Sequence, residues 1–159
     1  MDITYIPMAK GFVYLTCVMD IYSRKILSSV ISNTLDTSFC VDAYIEAVRL
    51  YGSPEIINTD QGSQFTSDAF VAAVATSGAR LSMDGKGAWT DNIFIERFWR
   101  SLKYEEVYLR AYDTVADAKR WIYRYIERYN TIRPHASLGG KTPDKIHSLA
   151  PAEGLLKAS

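Results

Sequence analysis

The chain has 159 residues, 48% of them hydrophobic, with 11 Tyr, 6 Phe and 3 Trp; this is enough for one domain with a real core and excludes a disordered chain. No apolar run approaches the 18 residues of a membrane span, and no signal-peptide pattern opens the sequence, so a soluble, cytoplasmic protein is expected. Net charge is zero, yet residues 1–79 hold 4 basic and 8 acidic side chains while residues 80–145 hold 13 and 9, which leaves room for a basic nucleic-acid-facing surface.

Residues 2–7, 11–20 and 23–32 alternate or run apolar, rich in Val, Ile, Tyr and Thr and broken near Lys10-Gly11 and Asp20 to Ser23. They read as three strands of an antiparallel meander. Thr37-Ser38 offers an N-cap for a helix carrying Phe39, Ala43, Ala47 and Leu50, stopped at Gly52-Ser53-Pro54. Residues 55–59 form a short buried strand, residues 67–77 a second helix closed by Gly78, and residues 80–83 a short strand. The glycine-flanked stretch 84–88 reads as a mobile loop. A helix follows from Asp91 or Asn92 to Tyr104, and Asp113-Thr114 opens another, with Ala118, Trp121, Ile122, Tyr125, Ile126 and Tyr129 as its apolar stripe. Residues 130–143 show no periodicity. The order β-β-β-α-β-α-β-α-α fits a mixed sheet flanked by helices, with residues 1–147 as one domain and 148–159 as a C-terminal tail.

Cys17 and Cys40, with His135 and His147, are the only residues of their types and have no zinc-ligand spacing. Both cysteines lie in apolar patterns and read as buried free thiols. The acids are more informative. Asp60 ends the buried strand and is followed by Gln61-Gly62-Ser63-Gln64-Phe65; Glu96 sits in the first turns of a helix, with 35 residues between them. Asp2 opens the first strand. Sites in α/β sheets form at strand ends and helix termini, and three carboxylates on separate elements can hold two Mg²⁺ or Mn²⁺ ions roughly 3.5–4 Å apart. Mg²⁺ is favoured as a hard ion that prefers oxygen and keeps waters while bridging phosphate. Taken singly, Asp60 is a turn residue, Glu96 a helix-dipole partner and Asp2 an exposed terminal acid; together the bland readings weaken.

With these residues in view, the chain resembles the catalytic core of DDE recombinases, specifically insertion-sequence transposases related to retroviral integrases. Asp2-Ile3-Thr4-Tyr5-Ile6 matches the family's first-strand motif, and Asn58-Thr59-Asp60-Gln61-Gly62-Ser63-Gln64-Phe65 its second. Asp91-Asn92 followed by Glu96-Arg97-Phe98-Trp99-Arg100-Ser101-Leu102-Lys103 resembles the third. Tyr129-Asn130, Arg133-Pro134-His135 and Thr142-Pro143 resemble its C-terminal signature. The resemblance implies a ribonuclease H-like fold, a mixed five-stranded sheet flanked by helices, with Asp2, Asp60 and Glu96 as catalytic metal ligands. It also implies DNA cleavage at transposon ends, attack of the freed 3′-hydroxyl on target DNA, and a homo-oligomer on DNA.

On the helix of Glu96, Arg100 and Lys103 share its face, and the resemblance to integrases implies that they clamp DNA phosphates, against the plainer reading of a Glu–Arg helix pair. Asn92 either orients the carboxylate, contacts DNA or caps the helix. Lys86 is a DNA contact or a solvated loop lysine. Trp89 stacks on a base or packs on the sheet. Lys119, Arg120, Arg124 and Arg128 face DNA or solvent. His135 reads as a structural hydrogen-bonding residue, Asp20 as the partner of Arg24, and Glu105-Glu106 as solvated helix-end acids. Because the sequence opens one residue before Asp2, fraying of the first strand and a weak metal site are expected. The runner-up to a working transposase core is an inactive or repurposed core that only binds DNA or oligomerises; a different ribonuclease H-like nuclease stands further back.

Overall fold

The computed structural model describes residues 1–83 and 89–149. Strands β1 (Asp2–Pro7), β2 (Phe12–Met19) and β3 (Ile26–Ser32) form the expected antiparallel meander. Asp2 stands opposite Cys17, and Pro7 opposite Phe12. The β2–β3 turn is built by Asp20, whose carboxylate accepts from the Ser23 N–H at 3.0 Å and from the Ser23 hydroxyl. Arg24 follows in the left-handed region, φ 65°, and its guanidinium lies 3.1 Å over the Phe94 ring. Asp20 is therefore a turn acid bound to Ser23, and the expected ion pair with Arg24 gives way to this stacking.

Helix α1 (Ser38–Tyr51) is capped one residue earlier than the sequence suggests. Thr37 already has helical angles and makes no capping bond; Asp36 accepts from the Ser38 N–H at 3.0 Å instead. Strand β4 (Ile56–Thr59) leads through α2 (Asp68–Ser77), capped by Ser67, to the parallel strand β5 (Arg80–Met83). The expected five strands are present, with their ladders divided three and two. What joins them is the ammonium group of Met1, which donates to the Asn58 carbonyl at 2.7 Å. Met1 is buried, 7% exposed, so the opening strand is held to the body at its first residue.

Helix α3 (Trp89–Glu105) begins two residues ahead of the expected start. Helix α4 (Val115–Thr131) is capped by Thr114, which accepts from the Asp117 N–H at 3.1 Å. After a short turn of 3-10 helix at Ala136–Leu138 comes α5 (Pro143–Leu149), where the sequence had shown no pattern. Proline at the first helical position lacks only an N–H that would be unpaired anyway, and the Thr142 hydroxyl oxygen accepts from the Lys145 N–H at 3.3 Å. Lys25 pairs with Asp144 at 2.6 Å, and Tyr51 meets His147 edge-on, centroids 5.3 Å apart, so α5 is fastened to the body.

The strand alternation sorts two cores. Val13, Leu15, Cys17 and Met19 face Ile95, Phe98, Trp99 and Leu102 of α3 and Ala118, Ile122, Ile126 and Tyr129 of α4. Val18, from the opposite face of β2, packs with Phe39, Ala43 and Tyr44 of α1, Phe70 and Val74 of α2, and Ile57 of β4. The result is three layers, helices on both faces of the strands.

Candidate active site

The Met1–Asn58 bond links the residue before Asp2 to β4, the strand that Asp60 follows. The two acids are close enough for the charge of Asp60 to act on Asp2. Burial pushes the Asp2 carboxyl above the usual carboxylate range, and Asp60 adds to the rise. The Trp99 indole, the Ile3 N–H and the Met1 ammonium pull it back. The Trp99 Nε1–H donates to Asp2 Oδ2 at 2.7 Å, and the Thr16 hydroxyl donates to the Asp2 carbonyl at 3.1 Å.

Asp60 is set differently. It stands exposed just past the end of β4, and its Oδ1 accepts from the Gly62 N–H at 2.9 Å, the side-chain turn that aspartate favours. Glycine leaves room for that turn: a Cβ at position 62 would lie 2.9 Å from Asp60 Oδ1 and displace the carboxylate.

Glu96 is exposed on α3, one residue past the buried Ile95. Ile95, Phe98, Trp99 and Leu102 form the buried stripe, which turns Glu96, Arg97 and Arg100 outward. Arg100 is exposed and lies 6.0 Å over the Tyr104 ring, and no ion pair joins it to Glu96 among the described residues. Lys103 is half-buried. Asn92 is also half-buried and lies inside α3, so the capping alternative for it is removed. Lys86 and the side chain of Trp89 lie outside the described residues.

Among the described residues, no three His, Cys, Asp or Glu side chains form a group able to hold a metal ion. Asp2 and Asp60 approach each other, and Glu96 does not close the set. The donor chemistry nonetheless suits a hard divalent cation. Two carboxylates lie near each other, Asp2 receiving the Trp99 and Ile3 N–H groups and Asp60 that of Gly62, and a cation relieves their mutual repulsion. Cys17 and Cys40 are buried free thiols; burial pushes Cys40 up to about 12 and Cys17 well above the ordinary thiol value, so neither is a nucleophile.

The C-terminal signature acts at a distance from the carboxylates. Asn130 donates to the Ile26 carbonyl and accepts from the Ile26 N–H, both at 2.9 Å. Arg133 and the Tyr125 hydroxyl converge on Glu105, and Glu106 accepts from Arg110 at 2.5 Å and from Tyr112 at 3.2 Å. The two helix-end acids therefore fasten the segments after α3 instead of merely facing solvent. His135 hydrogen-bonds the Tyr129 backbone and meets the Tyr129 ring edge-on at 4.7 Å, consistent with a structural role. Its Nε2 is buried without a partner among the described residues. Tyr129 is core, while Trp121 and Tyr125 flank it. Trp121 also takes Arg110 and Arg120 on its ring, at 3.7 and 5.0 Å, and Arg120 stays exposed beside Asp117.

The residue that sequence reasoning missed is Trp99. Its signal was present: a large ring on the buried face of α3, three residues past Glu96.

Comparisons with known proteins agree with this layout. The simian T-cell lymphotropic virus intasome structure aligns with TM-score 0.79 at 20% identity, covering 99% of this chain and 56% of that one. The HTLV-2 integrase catalytic core domain in complex with magnesium aligns with TM-score 0.65 at 23% identity, covering 92% of each chain. These establish the ribonuclease H-like fold of retroviral integrase cores. In sequence, the transposase for insertion sequence element IS904 of Lactococcus lactis is 37% identical over 145 residues, 89% of this chain and 57% of that protein. Transposase InsF for insertion sequence IS3A of Escherichia coli is 31% identical over 150 residues, 92% and 52% respectively. The chain thus spans about half the length of these relatives. Two family models, each described as an integrase core domain, match residues 1–88 and 77–143, and the chain belongs to the integrase core domain family.

Proposed function

We propose that the chain is the catalytic core of a metal-dependent DNA transposase, with residues 1–147 as the catalytic domain and Asp2, Asp60 and Glu96 as its acidic triad. The observation that carries this reading is the convergence of Asp2 and Asp60 at the β1–β4 junction. Mg²⁺ or Mn²⁺, when bound, supplies the activation of the attacking oxygen and the stabilisation of the leaving one in phosphodiester cleavage and 3′-hydroxyl joining. Asp2 and Asp60 would hold the ion through their carboxylates, which the Trp99 and Gly62 N–H groups orient. Glu96 would complete the set from α3. Arg100, and Lys103 with it, would hold DNA phosphates along that helix, with Asn92 and Lys86 contacting DNA nearby; such contacts position the substrate without reading its sequence. DNA ends and target are the partners, met by an oligomer.

A second reading, a core that binds DNA or oligomerises without catalysis, draws on the absence of a closed three-residue metal group among the described residues. Nicking of supercoiled plasmid in Mg²⁺ or Mn²⁺ separates the two. The expected outcome is metal-dependent nicking that Glu96→Gln removes. DNA binding with no nicking in either metal, in protein that retains its thermal transition, would favour the second reading.

A further inference from the structure

We infer that Trp99 is the positioning residue for Asp2: its indole N–H holds Oδ2 and so aims Oδ1 at the divalent cation. The inference rests on the active-site reading proposed above and assigns a specific task to a residue that the reading leaves in the core.

The geometry carries it. The Nε1–H to Oδ2 separation is 2.7 Å, short for a neutral donor and suited to one that serves a carboxylate. An indole has one N–H and no rotor, so its direction is fixed by the ring. The ring is fixed in turn: Trp99 is 7% exposed, within the α3–α4 core, and lies 5.2 Å from Phe98, centroid to centroid. At the other end the Asp2 backbone is held by its ladder with Cys17, by the Thr16 hydroxyl and by the neighbouring Met1 tie. A rigid donor and a rigid backbone, with the Ile3 N–H also on the carboxylate, restrict how it can turn. Trp99 also sits three residues after Glu96, one turn along α3. The bond that orients Asp2 therefore also sets the distance from β1 to the helix that bears Glu96. Carboxylates that bind metals are themselves commonly hydrogen-bonded, and removing that partner typically lowers metal affinity about 10–100-fold. A purely structural tryptophan would satisfy its N–H in the same place, but would be indifferent to the cation.

The test uses ¹⁵N-labelled protein and Mg²⁺ alone. The indole N–H resonance of Trp99 is assigned by its loss in Trp99→Phe, and Mg²⁺ binding is measured in parallel by calorimetry. The expected result is that the Trp99 resonance moves with the calorimetric midpoint, and that Trp99→Phe binds Mg²⁺ about tenfold more weakly. Should the phenylalanine variant unfold, the benzothiophene analogue of tryptophan at position 99 keeps the ring shape, lacks the N–H and should show the same loss. If Mg²⁺ binds in a manner that Asp2→Asn abolishes, yet the Trp99 resonance stays still and the isostere binds equally well, the inference is overturned and the active-site reading survives. If Mg²⁺ fails to bind the wild type, or binds indifferently to Asp2→Asn, both fall together.

Discussion

Asp2 and Asp60 are the same residue type held in opposite ways. Asp2 is shielded and bonded to an indole; Asp60 stands in solvent and is tethered to the Gly62 N–H. The tether makes Gly62 the sensitive neighbour. In Gly62→Ala the new methyl would sit 2.9 Å from Asp60 Oδ1, and the carboxylate must swing away. Because Asp60 is exposed, the swing is cheap in stability, and the thermal midpoint should stay nearly unchanged. Metal-dependent nicking should fall about tenfold or more, because a metal-binding carboxylate loses its orienting partner; equal rates for variant and wild type would count against a catalytic Asp60. Asp60 was legible in the sequence because a carboxylate ending an apolar run before Gln-Gly is a local pattern. The Asp2–Trp99 bond was not, because its partners are 97 residues apart. The ring stacking of Arg24 on Phe94 escaped for the same reason.

Among the elements, α4 was the clearest in the sequence and does the most bracing. Its apolar stripe repeats over several turns, and Thr114 caps it as expected. At its far end Asn130 offers an acceptor and a donor to Ile26, imitating a strand partner for the first residue of β3. Asn130→Ala leaves both backbone groups of Ile26 without that partner and should destabilise the protein by about 2–3 kcal/mol, read from urea unfolding. Asn130→Asp keeps the acceptor for the Ile26 N–H and should cost less than the alanine variant. Helix α5 was illegible because seven residues make fewer than two full turns, too few to establish a period. The α1 cap was misplaced by one residue because Asp36, Thr37 and Ser38 are all good capping types. Glu105 and Glu106 were misjudged because their partners, Arg133 and Arg110 among them, come after the helix that carries them.

For the whole molecule, both histidines lie in the C-terminal part that closes over the body. Burial, first, holds each imidazole below its ordinary 6.5. Arg133 and Arg24 add to this at His135, against the opposing pull of the Tyr129 backbone and Glu105. Lys25 adds to it at His147, against Asp20 and Asp144. The unfolded chain therefore binds more protons than the folded one as pH falls through 6.5, and stability drops in that window. The thermal midpoint should decrease from pH 7 to pH 5.5, and His147→Gln should flatten part of the slope. The carboxylates held low, Glu105, Glu46 and Asp36, contribute a separate loss only below about 4.5, as they take up protons. At this scale the three-layer class followed from strand and helix order alone. The division of the strands into two ladders did not, since which strands pair depends on contacts distant in sequence such as the Met1–Asn58 bond.

The span of those long ties sets an order in time. The meander and the β4–α2–β5 unit close over short stretches of chain, whereas Asp2 waits for residue 99 and Ile26 for residue 130. Contacts so distant in sequence form late, and a chain leaving the ribosome exposes its N-terminal part first. A partly synthesised molecule thus carries Asp2 and Asp60 while it still lacks the helix that orients one of them and the third acid beside it. Such a chain cannot assemble the proposed cutting site until α3 has emerged.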